Sequence, residues 1–234
     1  MKTILAVGAH IGDAELTSGI ILANESLKGN KVITVALTGG ERGNPPNMTV
    51  EEYLVQKKQE ANIFIKKLGE QNEAIIFAIP DGELIASEDI KLSLASIIRK
   101  YKPSMILGHW EKSMHKDHEA ASIITQDAQF YAGIDMGDKV KGQRHYAPLY
   151  MMENWEDMEE FEPFVYFKVT DTAFELWKNA IQNHWFVMNS KSFAYFTYYN
   201  SLAKVRGCLA KSNYAVAANV KSHAKKRIVD LTVE

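Results

Sequence analysis

Short apolar runs that do not alternate are the strongest constraint on how this chain can fold. They lie at Thr3–Gly8, Lys31–Leu37, Ala74–Ile79 and Ser104–Gly108, and three of them are continuous. A strand with one wet face alternates polar and apolar residues. An unbroken apolar run therefore predicts a strand covered on both faces, as in a parallel sheet. Helical patterns separate the runs. Leu16, Ile20 and Leu27 form one stripe, closed by Gly29. Thr49-Val50-Glu51-Glu52 has capping-box spacing and opens a helix to about Leu68-Gly69. A third helix spans Ser87 to Lys100, before Pro103 forbids continuation, and a fourth runs from near His118 to Tyr131. Pro148–Met152 and Val165–Val169 read as further strands, Thr172–Asn183 and Ser192–Val205 as helices. The alternation predicts an α/β fold, a mostly parallel sheet flanked by helices. With 234 residues and 46% hydrophobic composition, one well-buried core suffices, so a single domain over residues 1–234 is expected.

In open, Rossmann-like sheets, ligands bind at the carboxyl ends of the strands. The polar loops of this chain follow its strands. His10 and Asp13 come after the first, Gly39 through Pro46 after the second, Pro80-Asp81-Gly82 after the third, and His109 through His118 after the fourth. All are expected on one edge. Two imidazoles and a carboxylate, His10, Asp13 and His118, can then face a single divalent ion, with His115 beside it. Three protein ligands leave a position for water, the arrangement of catalytic rather than structural zinc. Iron, cobalt and manganese suit the same ligands.

Other patterns carry less chemistry. Gly39-Gly40-x-x-Gly43 is not a dinucleotide fingerprint but a loop of turn formers. No G-x-S-x-G elbow supports a serine nucleophile. Tyr195, Phe196, Tyr198 and Tyr199 read as helix packing, with sugar stacking a secondary use. Asn154 through Phe161 reads as an acidic, aromatic excursion beside the mouth of the site, and Lys221 through Arg227 as a solvated basic face. A formal charge of −2 gives no case for nucleic acid or an anionic membrane. The lone Cys208 cannot form an internal disulfide, and the apolar N-terminal run is too short for a signal peptide or a membrane span. The expectation is a cytoplasmic protein acting on a small molecule.

Ala9-His10-x-x-Asp13-Ala14-Glu15, His115-x-Asp117-His118 and Lys57-x-x-Glu60-Ala61 with Leu68-Gly69 resemble the LmbE-like (PIG-L) deacetylases. These are zinc hydrolases that remove acetyl from N-acetylglucosaminyl compounds. The resemblance continues through Ile79-Pro80-Asp81-Gly82-Glu83-Leu84, Phe130–Ile134, Arg206-Gly207 and Tyr214, nearly the whole chain. It implies zinc on His10, Asp13 and His118, an N-acetylated amino sugar or glycoconjugate as substrate, and a homo-oligomer, trimer or hexamer. It also implies that His115 stabilises the intermediate or donates a proton, oriented by the carboxylate of Asp117. Lys57 stands where an arginine often helps to hold substrate, and it lacks the bidentate fork. Asp81 and Arg42 complete the expected substrate contacts.

One position departs from the family. Its first motif is Ala-His-Pro-Asp-Asp, and the first aspartate of the pair is the general base; here that position is Gly12, and Ile11 replaces the proline. The expected reaction is attack of a zinc-bound water on the acetyl amide. His115 would take the water proton and return it to the leaving amine, and Glu41 is the alternative base. Gly12 also motivates a different reading, a metal-bearing binding or regulatory protein with lost or altered catalysis. A third keeps the scaffold and hydrolyses another amide or ester.

Overall fold

The computed structural model describes residues 1–155 and 158–226, so Glu156, Asp157 and the end of the basic run at Arg227 lie outside the described residues. In chain order the elements are β1 (Thr3–Gly8), α1 (Asp13–Thr17), α2 (Gly19–Leu27), β2 (Lys31–Thr38), α3 (Val50–Leu68), β3 (Glu73–Ile79), α4 (Glu88–Tyr101), β4 (Met105–His109) and α5 (Lys116–Gly133). There follow β5 (Leu149–Met152), β6 (Val165–Val169), α6 (Asp171–Ile181), α7 (Trp185–Asn189), α8 (Tyr195–Ala210) and β7 (Tyr214–Asn219). The strands form one seven-stranded sheet in the order β3-β2-β1-β4-β5-β7-β6. β1 to β5 pair parallel with their neighbours, and β7 runs antiparallel between β5 and β6.

The continuous apolar runs are explained by burial on both faces. Ile4, Ala6, Val32 and Leu107 pack on one side against α2, α3, α6 and α8, through residues such as Leu22, Phe64, Trp177 and Tyr199. Their strand neighbours Leu5, Val7, Ile33, Val35 and Ile106 pack on the other side against Leu94 and Ile98 of α4 and Ala121 and Ile124 of α5. Alternation survives, but both phases are apolar. At about 25 cal/mol per Å² this two-sided burial is the main stabilising term.

The expected capping box opens α3. The Thr49 side chain accepts from the Glu52 amide at 3.2 Å, and the Glu52 carboxylate accepts from the Thr49 amide at 2.9 Å. The first helix differs from expectation: it breaks at Ser18, whose φ is −114°, and Thr17 bonds back to the Asp13 carbonyl at 2.9 Å. β7 and α7 carry no strong pattern of their own. β7 is Tyr-Ala-Val-Ala-Ala-Asn, rich in a residue with weak strand preference, and it is held by pairing on both sides.

The sheet order reverses between β1 and β4, so their following loops diverge and leave a crevice at the carboxyl edge. α7 walls that crevice, and His184 lies in the turn that joins it to α6. It is fully buried, neither ring nitrogen has a hydrogen-bond partner among the described residues, and Glu60 Oε2 lies 3.8 Å from Nδ1. Burial, with a smaller contribution from Lys57, holds the ring down to about 3 from its ordinary 6.5. Below pH 6.5 the unfolded chain takes up a proton that the folded one refuses until about pH 3. His184 thus contributes most above pH 6.5, and the contribution falls as the solution is acidified. In denaturant titrations between pH 6 and pH 4, His184→Leu should flatten the stability profile by roughly 1.4 kcal/mol per pH unit relative to wild type. Parallel profiles would show that the ring is not held neutral.

Candidate metal centre

The β1–α1 loop and the start of α5 meet at the crevice. His10 Nδ1 lies 3.1 Å from Asp13 Oδ2, His118 Nε2 lies 3.2 Å from His10 Nδ1, and His118 Nε2 lies 3.4 Å from Asp13 Oδ2. All three residues are buried. A tetrahedral ion with ligands at about 2.0–2.1 Å has ligand–ligand edges of about 3.3 Å, so the triangle has the size that zinc demands. The donor set is also correct for a divalent ion of that class, two imidazoles and one carboxylate. The residues fit a metal. Three overlapping sets, His10/His115/His118, Asp13/His109/His118 and His10/Asp81/Asp117, keep their ligand atoms within 4.8 Å of one another.

Supporting groups hold each candidate ligand. Asp13 Oδ2 accepts from the His10 backbone amide at 2.7 Å and lies 3.3 Å from His109 Nε2. Burial opposes its charge, but the imidazoles of His118 and His10 hold the carboxyl well below the usual range. His109 ends β4 and stacks on His118 at 4.4 Å between ring centroids. The other nitrogen of His118, Nδ1, is 3.2 Å from the Asn154 amide nitrogen, and the amide oxygen accepts from the Tyr199 hydroxyl at 2.9 Å. The far nitrogen of His10, Nε2, faces Asp81 Oδ1 at 3.0 Å and Asp117 Oδ2 at 3.4 Å. Such carboxylates fix the tautomer and ring plane of a ligating histidine. Despite its burial, Asp81 is held down to about 2 by His10.

Two expectations about neighbouring residues change. The carboxylate of Asp117 does not orient His115: it accepts from the Gly82 amide at 2.8 Å and faces His10. His115 is instead held by the backbone, its Nδ1 accepting from the Asp117 amide at 3.2 Å. Burial and the nearby imidazoles lower its pKa, which favours the neutral ring, and the bond at Nδ1 leaves its proton on Nε2. That tautomer donates to the pocket and does not accept from it. Glu41 and Arg42 also do other work. Glu41 is buried and its Oε1 accepts from the Asp81 amide at 3.0 Å, which braces that loop. The Arg42 side chain points to solvent in a pair with Glu83, and only its backbone amide touches Asp81, at 3.0 Å. Neither lines the pocket.

The pocket has a volume of about 650 Å³, and His10, Asp13, Lys57, Asp81, His115 and His118 line it. Its apolar wall comes from Tyr53, Trp155, Trp185, Phe186 and Tyr195. The Trp155 ring stands edge-on to His118 at 4.9 Å, so the excursion expected beside the mouth does reach the site. Phe186 explains Gly12. Gly12 has φ 112°, a conformation side chains avoid, and a Cβ there would lie 2.5 Å from the Phe186 ring. Where the family carries a carboxylate, this chain has an aromatic ring. Sequence reasoning missed His109, Tyr53, Trp185 and Phe186 as site residues. A histidine ending a strand beside the His115–His118 loop was the available signal for the first; the others are gathered only by the tertiary fold.

Among solved structures, the 4-carboxy-2-hydroxymuconate hydratase GalB of Pseudomonas putida KT2440 superposes with a TM-score of 0.82, is 24% identical, and is covered over 100% of both chains. The N,N'-diacetylchitobiose deacetylase of Pyrococcus horikoshii matches with a TM-score of 0.79 and 18% identity, over 93% of this chain and 83% of that one. The conserved protein TT1542 of Thermus thermophilus matches with a TM-score of 0.79 and 22% identity, over 94% and 95%. These likenesses establish the fold. The model of the family described as PIG-L, GlcNAc-PI de-N-acetylase, matches residues 5–129, just over half the chain and every candidate ligand. With that match and the paired clusters at β1 and β4, the chain belongs to the PIG-L (LmbE-like) family.

Proposed function

We propose that this protein is a divalent-metal-dependent N-deacetylase acting on an acetamido group of an amino-sugar-type substrate, with zinc as the expected ion on His10, Asp13 and His118. One observation carries the reading: three ligand atoms 3.1–3.4 Å apart at the bottom of a pocket that His115 also lines. An ion held there supplies a Lewis acid and a water made acidic near neutral pH. The chain's own groups do the rest. Asp81 and Asp117 keep His10 oriented, His109 and Asn154 keep His118 oriented, and His115 presents a neutral ring. With its proton on Nε2, His115 is placed to donate a hydrogen bond to the oxygen that gains charge and keeps that proton, while the leaving amine takes its proton from the attacking water. As a general base it has the wrong tautomer, which revises the role expected from sequence. Family membership, and a fold shared with a diacetylchitobiose deacetylase, support the substrate class.

A second reading is hydration of an activated double bond. Phe186 fills the volume above Gly12, so the base that deacetylation uses in this family is not merely substituted but walled off. A structure matched end to end is named a hydratase. Release of free amine from N-acetylated amino sugars decides for the first reading, and loss of dienoic-acid absorbance without amine release decides for the second.

The ligand assignment is tested by elemental analysis and calorimetry. Wild-type protein should hold about one divalent ion, and His118→Ala should lose affinity by more than about a hundredfold, beyond what removal of a merely supporting group does. Unchanged binding would place the ion elsewhere. His115→Ala should keep the metal and lower kcat by about 10²–10³-fold, the usual loss of one oxyanion donor; near-full activity would remove His115 from the reaction. Restoring the family's aspartate should fail on its own. We expect Gly12→Asp to cost about 2–4 kcal/mol from positive-φ strain and overpacking, and Phe186→Ala to recover part of that cost in the double variant. Strict additivity in the cycle would mean that the ring does not occupy the aspartate's space.

A further inference from the structure

We propose that the pocket contains a carboxylate receptor, made by Tyr53 and Lys57 on one face of α3, and that its ligand is a small acid whose body lies against the aromatic wall. The proposal rests on the amide-hydrolase reading for the reacting group. Together they make the substrate class an acetamido acid, either an amino-sugar acid or an N-acyl amino acid, rather than a neutral amino sugar.

Tyr53 and Lys57 are four residues apart, one turn of helix, so their side chains emerge together. Both line the pocket, and both are almost completely buried, with 1% and 4% of their surface exposed. The Tyr53 hydroxyl has no hydrogen-bond partner among the described residues. Lys57 Nζ makes no ion pair or hydrogen bond among them; its contacts are the faces of the Tyr53 ring at 5.6 Å and the Phe186 ring at 4.6 Å. Two buried donors, one of them cationic, therefore line the same pocket with no hydrogen-bond partner among the described residues. Leaving such groups buried and unsatisfied is costly, and more so for a charge.

A structural counter-ion would look different. The carboxylates whose fields reach Lys57 are Asp13, Asp81, Glu60 and Glu15, and each is held by a donor of its own. Asp13 takes the His10 amide, Asp81 the Arg42 amide, Glu15 the Gly12 amide, and Glu60 the Gln56 side chain and the Trp185 amide. None closes on the ammonium. Gly40 brings that ammonium to the candidate metal centre. It turns with φ 63°, and a Cβ there would lie 2.8 Å from both Lys57 Nζ and His10 Cβ. The bound anion would thus sit close to the reacting group, as a small substrate requires.

The ligand's chemistry follows from what surrounds the donors. A point ammonium and a phenol suit a carboxylate, whereas phosphate recognition favours a guanidinium fork, and the nearby Arg42 is engaged with Glu83 at the exposed rim. Four neighbouring carboxylates also repel a dianion more than a monoanion. Trp155, Trp185, Phe186 and Tyr195 supply an apolar wall.

The test is calorimetric binding to metal-free protein at pH 8, which needs no turnover. Two matched pairs serve as probes: N-acetyl-L-phenylalanine against its amide, and N-acetylmuramic acid against N-acetylglucosamine. At least one acid should bind about tenfold or more tightly than its neutral partner. That preference should vanish in Lys57→Gln and shrink severalfold in Tyr53→Phe, with both variants checked for native circular dichroism, and inorganic phosphate should not displace the acid. The identity of the preferred acid separates the sugar-acid from the amino-acid source. Equal binding of acid and neutral probes, an acid preference that survives Lys57→Gln, displacement by phosphate, or no saturable acid binding would each overturn the receptor. Acid preference with no amine release from any acetamido acid would leave the receptor standing and sink the hydrolase reading instead.

Discussion

A single buried carboxylate ties the site together. Asp13 is 4% exposed at the start of α1, just past the central strand β1, a position where an unpaired charge would cost several kcal/mol. It is tolerated because four groups converge on Oδ2: the His10 amide at 2.7 Å, His10 Nδ1 at 3.1 Å, His109 Nε2 at 3.3 Å and His118 Nε2 at 3.4 Å. The first two close the β1–α1 loop on itself. The last two fasten that loop to β4 and α5, about a hundred residues away in the chain. The same atom therefore shapes the local turn and joins the two halves of the crevice. A divalent ion bound here would replace imidazole–carboxylate contacts by stronger bonds without moving the backbone, since the spacing already suits it.

That convergence is legible in the sequence because it depends on topology. Continuous apolar runs separated by amphipathic helices dictate parallel strands, and parallel strands put every following loop on one edge. His10, Asp13, Asp81, His115 and His118 are thus expected together from the pattern alone, and the sheet places them around one pocket. What the pattern could not carry is side-chain direction within a loop. Asp117 is adjacent to His118 in sequence, but its carboxylate serves His10, because the first turn of α5 aims it toward Gly82. Arg42 sits on the right loop and points away.

The second half of the chain is harder to read for a different reason. β7, with its run of alanines, is a strand because β5 and β6 pair with it, not because its residues prefer to be one. α7 has five residues and no side-chain cap hydrogen bond, and is held by packing of Val187 and by the buried His184 before it. No local signal marks such segments. Yet they build the apolar wall, so the half of the molecule with the weakest pattern shapes the pocket around the candidate ligands of the other half.

Phe186, on α7, shows this most directly, because one ring performs two tasks. Its edge lies where the family's aspartate would stand, and Gly12 at φ 112° leaves room for it. It is also 4.6 Å from the ammonium of Lys57, close enough for a cation–π contact in a desolvated setting. A carboxylate at position 12 would attract that ammonium and neutralise it. An aromatic face holds the cation in place but leaves its N–H groups unsatisfied, available to an anion that enters the pocket. The loss of the aspartate and the burial of an unpaired lysine are then two sides of one exchange, a proton acceptor given up for a cation that can orient a substrate. Chemistry at the centre must rely on groups that remain, among them His115, which lines the pocket beside the candidate ligands with its N–H on the nitrogen that the backbone bond leaves open.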